Sequence, residues 1–209
     1  MDGCLGYCWF SFSNIYLLLM KNLLFSRIFF IAVAGSMLLG CKKDPCETVK
    51  CENGGYCANG SCVCPPGFTG ADCSQQKTPT VMFITRIDLL NTPPTADGGS
   101  AWDDSEGPGL PLADPYLIFA QDLTTLYETE YVDDRNYNQV VTYTPTSPIA
   151  INSPNSRYSF YVYDFDVFNS DDFMGGIEFT PYSSTNRFPS SQVITAGNIS
   201  MRLYYTYAW

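Results

Sequence analysis

The side chains able to do chemistry in this 209-residue chain are mainly carboxylates. Asp164 and Asp166 flank Phe165 at the end of an apolar run, and Asp171-Asp172 follow the loop Val167-Phe168-Asn169-Ser170. Upstream, Trp102-Asp103-Asp104 opens a Gly/Pro-rich stretch that closes with Asp114-Pro115-Tyr116. Carboxylates two residues apart at a strand end point the same way, and the loop can bring Asp172 back over them. Two such charges ~4 Å apart repel by roughly 4 kcal/mol even at an effective dielectric of 20. Residues 79–209 contain no lysine, and their five arginines face sixteen acidic residues, a balance of −11. A cation must offset the repulsion, and a loop-built set of oxygens without His or Cys suits Ca²⁺ rather than zinc or copper.

Composition narrows the chemistry further. No histidine is present, which excludes imidazole base catalysis and His-ligated zinc or haem. Eleven basic against 21 acidic residues give a net charge of −10, which argues against a nucleic-acid partner. There is no Gly-x-Ser-x-Gly nucleophile elbow, so the expectation is a protein that is not an enzyme.

The elements that must position the aspartates read as strands. Ile199, Met201, Leu203, Tyr205 and Tyr207 alternate with Ser200, Arg202, Tyr204, Thr206 and Ala208, a period of two. Val81, Phe83, Thr85, Ile87 and Leu89 give a second alternation. Further short runs at 115–120, 126–132, 139–144, 158–163 and 175–180 are split by Pro, Gly, Asn and Asp. Helical periodicity of useful length is missing, so the expected fold is all-β, an antiparallel sandwich over residues 81–209.

Two of its loops resemble those of a C2 domain: Asp114-Pro115-Tyr116, and Tyr163-Asp164-Phe165-Asp166 followed after five residues by Asp172-Phe173-Met174-Gly175. The resemblance implies an eight-stranded C2-type calcium-binding sandwich. It casts Asp114 as a carboxylate shared between calcium ions, Asp164 and Asp166 as the central pair and Asp172 as the closing ligand. The Phe165 carbonyl and the Asn169 side chain would add oxygens. The first loop is longer than the family's, which leaves Asp103, Asp104 and Glu106 as competing first ligands, with Asp103 favoured. In many family members calcium bridges anionic phospholipid headgroups while apolar loop tips enter the bilayer. Leu110, Leu112, Val167 and Phe168 are the candidates for that contact, or for packing over the end of the sandwich. The lysine-rich lateral strand that some members use for phosphoinositides is missing.

Six of the nine cysteines fall within residues 46–73, a density that needs an oxidising compartment. Some thirty residues cannot bury enough apolar surface to fold unaided, and covalent loop closure substitutes for a core. Residues 44–75, with Cys62-Val63-Cys64-Pro65-Pro66-Gly67-Phe68-Thr69-Gly70-Ala71-Asp72-Cys73 at their end, resemble an EGF-like domain. That resemblance implies the pairs Cys46–Cys57, Cys51–Cys62 and Cys64–Cys73. Lys42-Lys43-Asp44-Pro45 departs from the calcium-binding members, so no metal is expected in this module. Its expected role is a spacer, joined by a linker at 76–80 to the sandwich.

Ahead of the cysteine-rich region, Lys21 and Arg27 precede an apolar run at 28–39 that is too short for a membrane span and matches a secretory signal. Leu38-Leu39-Gly40-Cys41 resembles the bacterial lipobox, which implies cleavage of a signal at 20–40 and lipidation of Cys41, with 41–43 as tether. The other reading is ordinary cleavage near Gly40 with Cys41 as a spare thiol. Residues 1–19 read as an extension upstream of the functional start at Met20. Acyl chains contribute about 0.8 kcal/mol per buried CH₂, so two or three of them anchor a chain durably. Lys42 favours the outer membrane of a bacterial envelope, with surface exposure. The combined expectation is a surface-anchored lipoprotein that binds or adheres, with calcium, to an external phospholipid, glycan or protein. The alternative is a passive envelope component in which calcium serves stability alone.

Overall fold

The computed structural model describes residues 43–102, 112–168 and 170–209 of the chain. The upstream extension, the signal segment and Cys41 lie outside them. Two units are distinguished, residues 1–47 and 48–209. In the first, the described residues 43–47 form a turn in which the Cys46 N–H donates to Asp44 Oδ1 at 2.9 Å. Among the described residues, no helix is long and apolar enough to cross a membrane.

The second unit begins with the disulfide-rich module. Strands β1 (Tyr56–Ala58) and β2 (Ser61–Val63) form a hairpin in which Cys57 faces Cys62. Asn59 and Gly60 connect them with φ of 52° and 85°, the left-handed pair that a two-residue type I′ turn requires. Strands β3 (Phe68–Thr69) and β4 (Gln75–Gln76) form a second short pair. Disulfides join Cys51 to Cys62 and Cys64 to Cys73, with Cα separations of 5.7 and 5.3 Å. Cys46 and Cys57 are disulfide-bonded as well.

All remaining strands belong to the sandwich: β5 (Val81–Asn91), β6 (Pro115–Gln121), β7 (Thr124–Glu128), β8 (Val141–Tyr143), β9 (Ile149–Ile151), β10 (Tyr158–Asp164), β11 (Asp172–Phe179), β12 (Ser191–Ala196) and β13 (Ile199–Ala208). One sheet has the order β11-β10-β6-β7; the other runs β12-β13-β5, with β8 and β9 both against the free side of β5. Every pairing is antiparallel. β8 and β9 act as one edge strand interrupted by Pro145 and Pro148, since proline cannot donate to the ladder. With that pair taken as one position, the described sandwich has the eight expected strand positions.

The alternation read in β13 is observed: Ile199, Met201, Leu203 and Tyr205 are buried, and the residues between them are half-buried or exposed. β5 differs from the single alternation expected of it. Met82 and Ile84 are buried in its first half, Ile87 and Leu89 in its second, and a register shift opposite Tyr204/Tyr205 separates the halves. One extra residue at this bulge changes which parity faces inward, so Val81 and Phe83 do not share a face with Ile87. Between the sheets Phe119 sits among Phe160 (4.8 Å between ring centroids), Tyr158 (5.4 Å) and Phe179 (6.5 Å).

The disulfide module packs against the sandwich within the same unit. Phe188 is the hub: its ring lies 4.4 Å from Trp209, 5.4 Å from Tyr207 and 5.5 Å from Phe68 of β3. Gln76 fastens the same joint, donating to the Ser183 carbonyl at 3.0 Å and accepting from the Arg187 N–H at 2.9 Å. The Tyr182 hydroxyl donates to the Lys77 carbonyl at 3.0 Å. Arg187 and Phe188 both have positive φ (51° and 55°), a conformation that non-glycine residues adopt only where the surroundings fix it. Gly67, at φ 89°, passes so close that a Cβ would stand 2.7 Å from the rings of Phe188 and Trp209.

Candidate functional site

Three neighbouring strands of the four-stranded sheet reach one rung at the same end: Pro115 begins β6, Asp164 ends β10 and Asp172 begins β11. In the register Asp164 faces Pro115 on one side and Asp172 on the other. Residues directly opposite one another share a face, with Cβ atoms about 4.5–5.5 Å apart. Asp114 and Asp166 flank this rung by one and two residues. The i, i+2 spacing and the Asp-Pro turn thus deliver four carboxylate positions to one end of one sheet.

Local hydrogen bonds set how the side chains lie. Asp164 is fully buried and its Oδ1 accepts a short hydrogen bond from the Asp114 N–H. The Asp114 carbonyl accepts from the Phe165 N–H at 3.1 Å, which ties the two loops together at the backbone. Asp114 Oδ1 accepts from the Asp134 N–H at 2.6 Å. Asp134 has φ 53° and lies in a segment that crosses the site, where the Arg135 N–H donates to the Ala113 carbonyl at 2.7 Å. Asp166 is buried, while Asp172 is exposed. Phe165, proposed to offer its carbonyl, has its ring stacked on Tyr131 at 4.2 Å. Val167 and Phe168 stand out into solvent, 61% and 78% exposed, and Leu112 is half-buried.

Asp103, Asp104, Leu110 and Asn169, all named from the sequence, lie outside the described residues. Among the described residues, no three His, Cys, Asp or Glu side chains converge closely enough to hold a metal ion.

Two residues near the site escaped the sequence reading. Asp171 accepts from the Tyr116 hydroxyl at 2.7 Å and from the Asp166 N–H at 3.3 Å. It therefore bridges the third loop to β6, a role that Asp171-Asp172 as a sequence pair does not reveal. Burial, followed by the Asp171 bond, raises the Tyr116 hydroxyl well above the ordinary tyrosine range, so it stays a proton donor. Arg135 brings a guanidinium near Tyr143, the buried tyrosine whose hydroxyl donates to the Pro115 carbonyl at 2.6 Å. None of the ion pairs formed among the described residues involves Arg135, and its Nε makes no hydrogen bond there. Only the isolated bridge to Ala113 places it, and its position 21 residues from Asp114 gave no sequence signal.

No protein-family model matches the chain. The human cadherin EGF LAG seven-pass G-type receptor 2 is 33% identical over 95 residues, covering 43% of this chain. The match spans 3% of that relative's length. Among solved structures, a C2 domain aligns with 62% of this chain and 98% of its own length, at 14% identity and a TM-score of 0.40. The C2 domains of extended synaptotagmin 2, in a structure that also holds its SMP domain, align with 61% of this chain and 27% of theirs, at 15% identity and 0.37. A structure described as BON1-C2B covers 62% and 93%, at 11% identity and 0.38. The fold stated above rests on the strand order and register of this chain.

Proposed function

We propose that this protein is a calcium-dependent binding or adhesion module carried on the bacterial cell surface. The observation that carries the reading is the shared rung of Pro115, Asp164 and Asp172, with Asp114 and Asp166 beside it. Oxygens alone make up the donor set, and the cation it needs is not supplied by a lysine of the domain. That chemistry fits Ca²⁺, whose flexible coordination suits loop-borne carboxylates and carbonyls. Asp114, Asp164, Asp166 and Asp172 would hold the ion, with the Phe165 carbonyl, Asn169 and Asp103 or Asp104 as further oxygens. Bound there, calcium would supply positive charge to an anionic ligand, and Val167 and Phe168 offer apolar contact beside it. The C2 resemblance of the two loops supports the same reading, and the lipobox resemblance at Cys41 supports anchoring in the outer membrane. No catalytic reaction is part of the proposal.

A second reading has its own support. Backbone N–H groups of Asp114, Asp134 and Asp166 already satisfy carboxylate oxygens at this end. Calcium would then stabilise the loops of a passive envelope component and recruit nothing. Capture of phosphatidylserine vesicles and of intact cells by the full chain, with and without chelator, separates the two. Chelator-sensitive capture supports the binding module. A calcium-dependent rise in melting temperature without capture supports the structural role.

A further inference from the structure

The outer face of the four-stranded sheet carries a row of rings that the acidic end does not use. Tyr116 on β6 faces Tyr163 on β10, which faces Phe173 on β11, so three consecutive strands place an aromatic side chain at one level. Their centroids are 5.6 Å apart for Tyr116–Tyr163, at an interplanar angle of 22°, and 5.3 Å for Tyr163–Phe173. Tyr161 extends the row, 6.3 Å from Phe173. Its neighbour across the ladder is Gly176, where a Cβ would stand 3.1 Å from the ring. Glycine there lets Tyr161 lie down on the sheet. Phe173 is 57% exposed, and the three tyrosines are partly exposed. Core burial does not explain this row, since the inward residues of the same strands are Leu117, Phe119, Phe160 and Val162.

Charge on this face has one sign where the rings are. Asp171 holds the Tyr116 hydroxyl at 2.7 Å. Glu128, exposed on β7, faces Ile118 one level below Tyr116 and is close enough to act on that hydroxyl. Among the described residues, the cation on this face is Arg157, which precedes β10 and is held by Glu178 at 3.2 Å away from the row. Aromatic faces present negative quadrupole, and carboxylates at their margin add to it. A planar guanidinium satisfies both, stacking on a ring and donating to a carboxylate, whereas a compact ammonium does this less well.

We propose that this sheet face docks an arginine-bearing segment of a partner protein, its guanidinium groups lying on Tyr116, Tyr163, Phe173 and Tyr161 and pairing with Glu128 and Asp171. The inference is independent of the calcium reading: the row has the outward parity of β10, and Asp164 the inward one. It also gives the −11 charge of residues 79–209 a second use, as a field that gathers basic partners.

The test uses the full-length protein in chelator and a fluorescent nonapeptide of alternating Arg and Gly, titrated by anisotropy at about 150 mM salt. Saturable binding is expected, several-fold weaker for the matching Lys-Gly peptide. Phe173→Leu, which keeps apolar bulk and removes the ring, and Tyr163→Leu should each weaken it about tenfold. Glu128→Gln should weaken it a few-fold, and Glu52→Gln in the disulfide module should leave it unchanged. Circular dichroism of each variant establishes that the fold is retained. Equal loss in Glu52→Gln and Glu128→Gln with none in Phe173→Leu would show unspecific charge attraction and overturn the proposal. Tighter, Phe173-dependent binding of a neutral oligosaccharide or of phosphatidylserine vesicles than of the peptide would overturn it as well.

Discussion

Removing the Asp88 carboxylate should destabilise the sandwich by about 3 kcal/mol. Asp88 lies on the outer side of the second sheet yet is 5% exposed, because three side chains close over it. Arg86 Nη2 donates to it at 2.9 Å, the Tyr204 hydroxyl at 3.0 Å and the Thr142 hydroxyl at 3.0 Å. Arg86 in turn lies 3.8 Å above the Tyr204 ring, so one acid organises β5, β8 and β13. A hydrogen bond to a charged acceptor is worth about 1.5–3 kcal/mol net, and the ion pair adds little because Arg86 is half-exposed. Asp88→Ala loses both hydroxyl bonds, part of which water restores, hence a figure near 3 rather than 5. For a unit of this size that lowers the melting temperature by roughly 6–12 °C. Burial alone would raise the Asp88 pKa, but the bonds from Arg86, Tyr204 and Thr142 outweigh it and hold the carboxyl below its usual value. A depressed folded-state pKa stabilises above the unfolded value of about 3.9, and the benefit is lost as pH falls through the folded value. The gap in stability between parent and Asp88→Ala, measured by thermal melts, should therefore be full at about pH 6 and shrink below about pH 4. A loss under about 0.5 kcal/mol, or a gap that does not change with acid, would refute the reasoning.

Two further outcomes follow from the module joint. Gly67→Ala should cost about 1–2 kcal/mol from positive φ alone and more from the clash with Phe188 and Trp209, visible as altered near-ultraviolet circular dichroism. Reduction of the disulfides should unfold the module and leave a cooperative transition for residues 79–209, which contain no cysteine; complete loss of structure on adding reductant would contradict this.

Long alternating runs were legible in the sequence because one buried face imposes a period of two, and β13 and β10 show this residue by residue. β9 and β12 were not. β9 has three residues, and of β12 only Ile194 is buried, so neither carries enough pattern to be seen. The bulge in β5 was invisible because Val81, Phe83, Ile87 and Leu89 alternate correctly as letters, and only cross-strand register shows the change of face. At the acidic end, the Asp-x-Asp and Asp-Pro-Tyr spacing located the rung. Asp171 and Arg135 were missed because their placement depends on Tyr116, Ala113 and Tyr143, contacts between loops distant in sequence. The docking of Phe68 on Phe188 went unread for the same reason, although Gly67 before an exposed-looking aromatic was its trace.

The most direct measurement is calorimetric titration of calcium into the full-length protein and into an Asp164→Asn, Asp166→Asn double variant. Asparagine keeps the size of each side chain and its capacity to accept the neighbouring N–H, and removes the two central charges. Saturable binding with a dissociation constant on the order of 10⁻⁴–10⁻³ M is expected for the parent, and none for the variant. Equal heats in the two proteins, or no calcium heat in the parent, would contradict calcium binding at this end of the sheet.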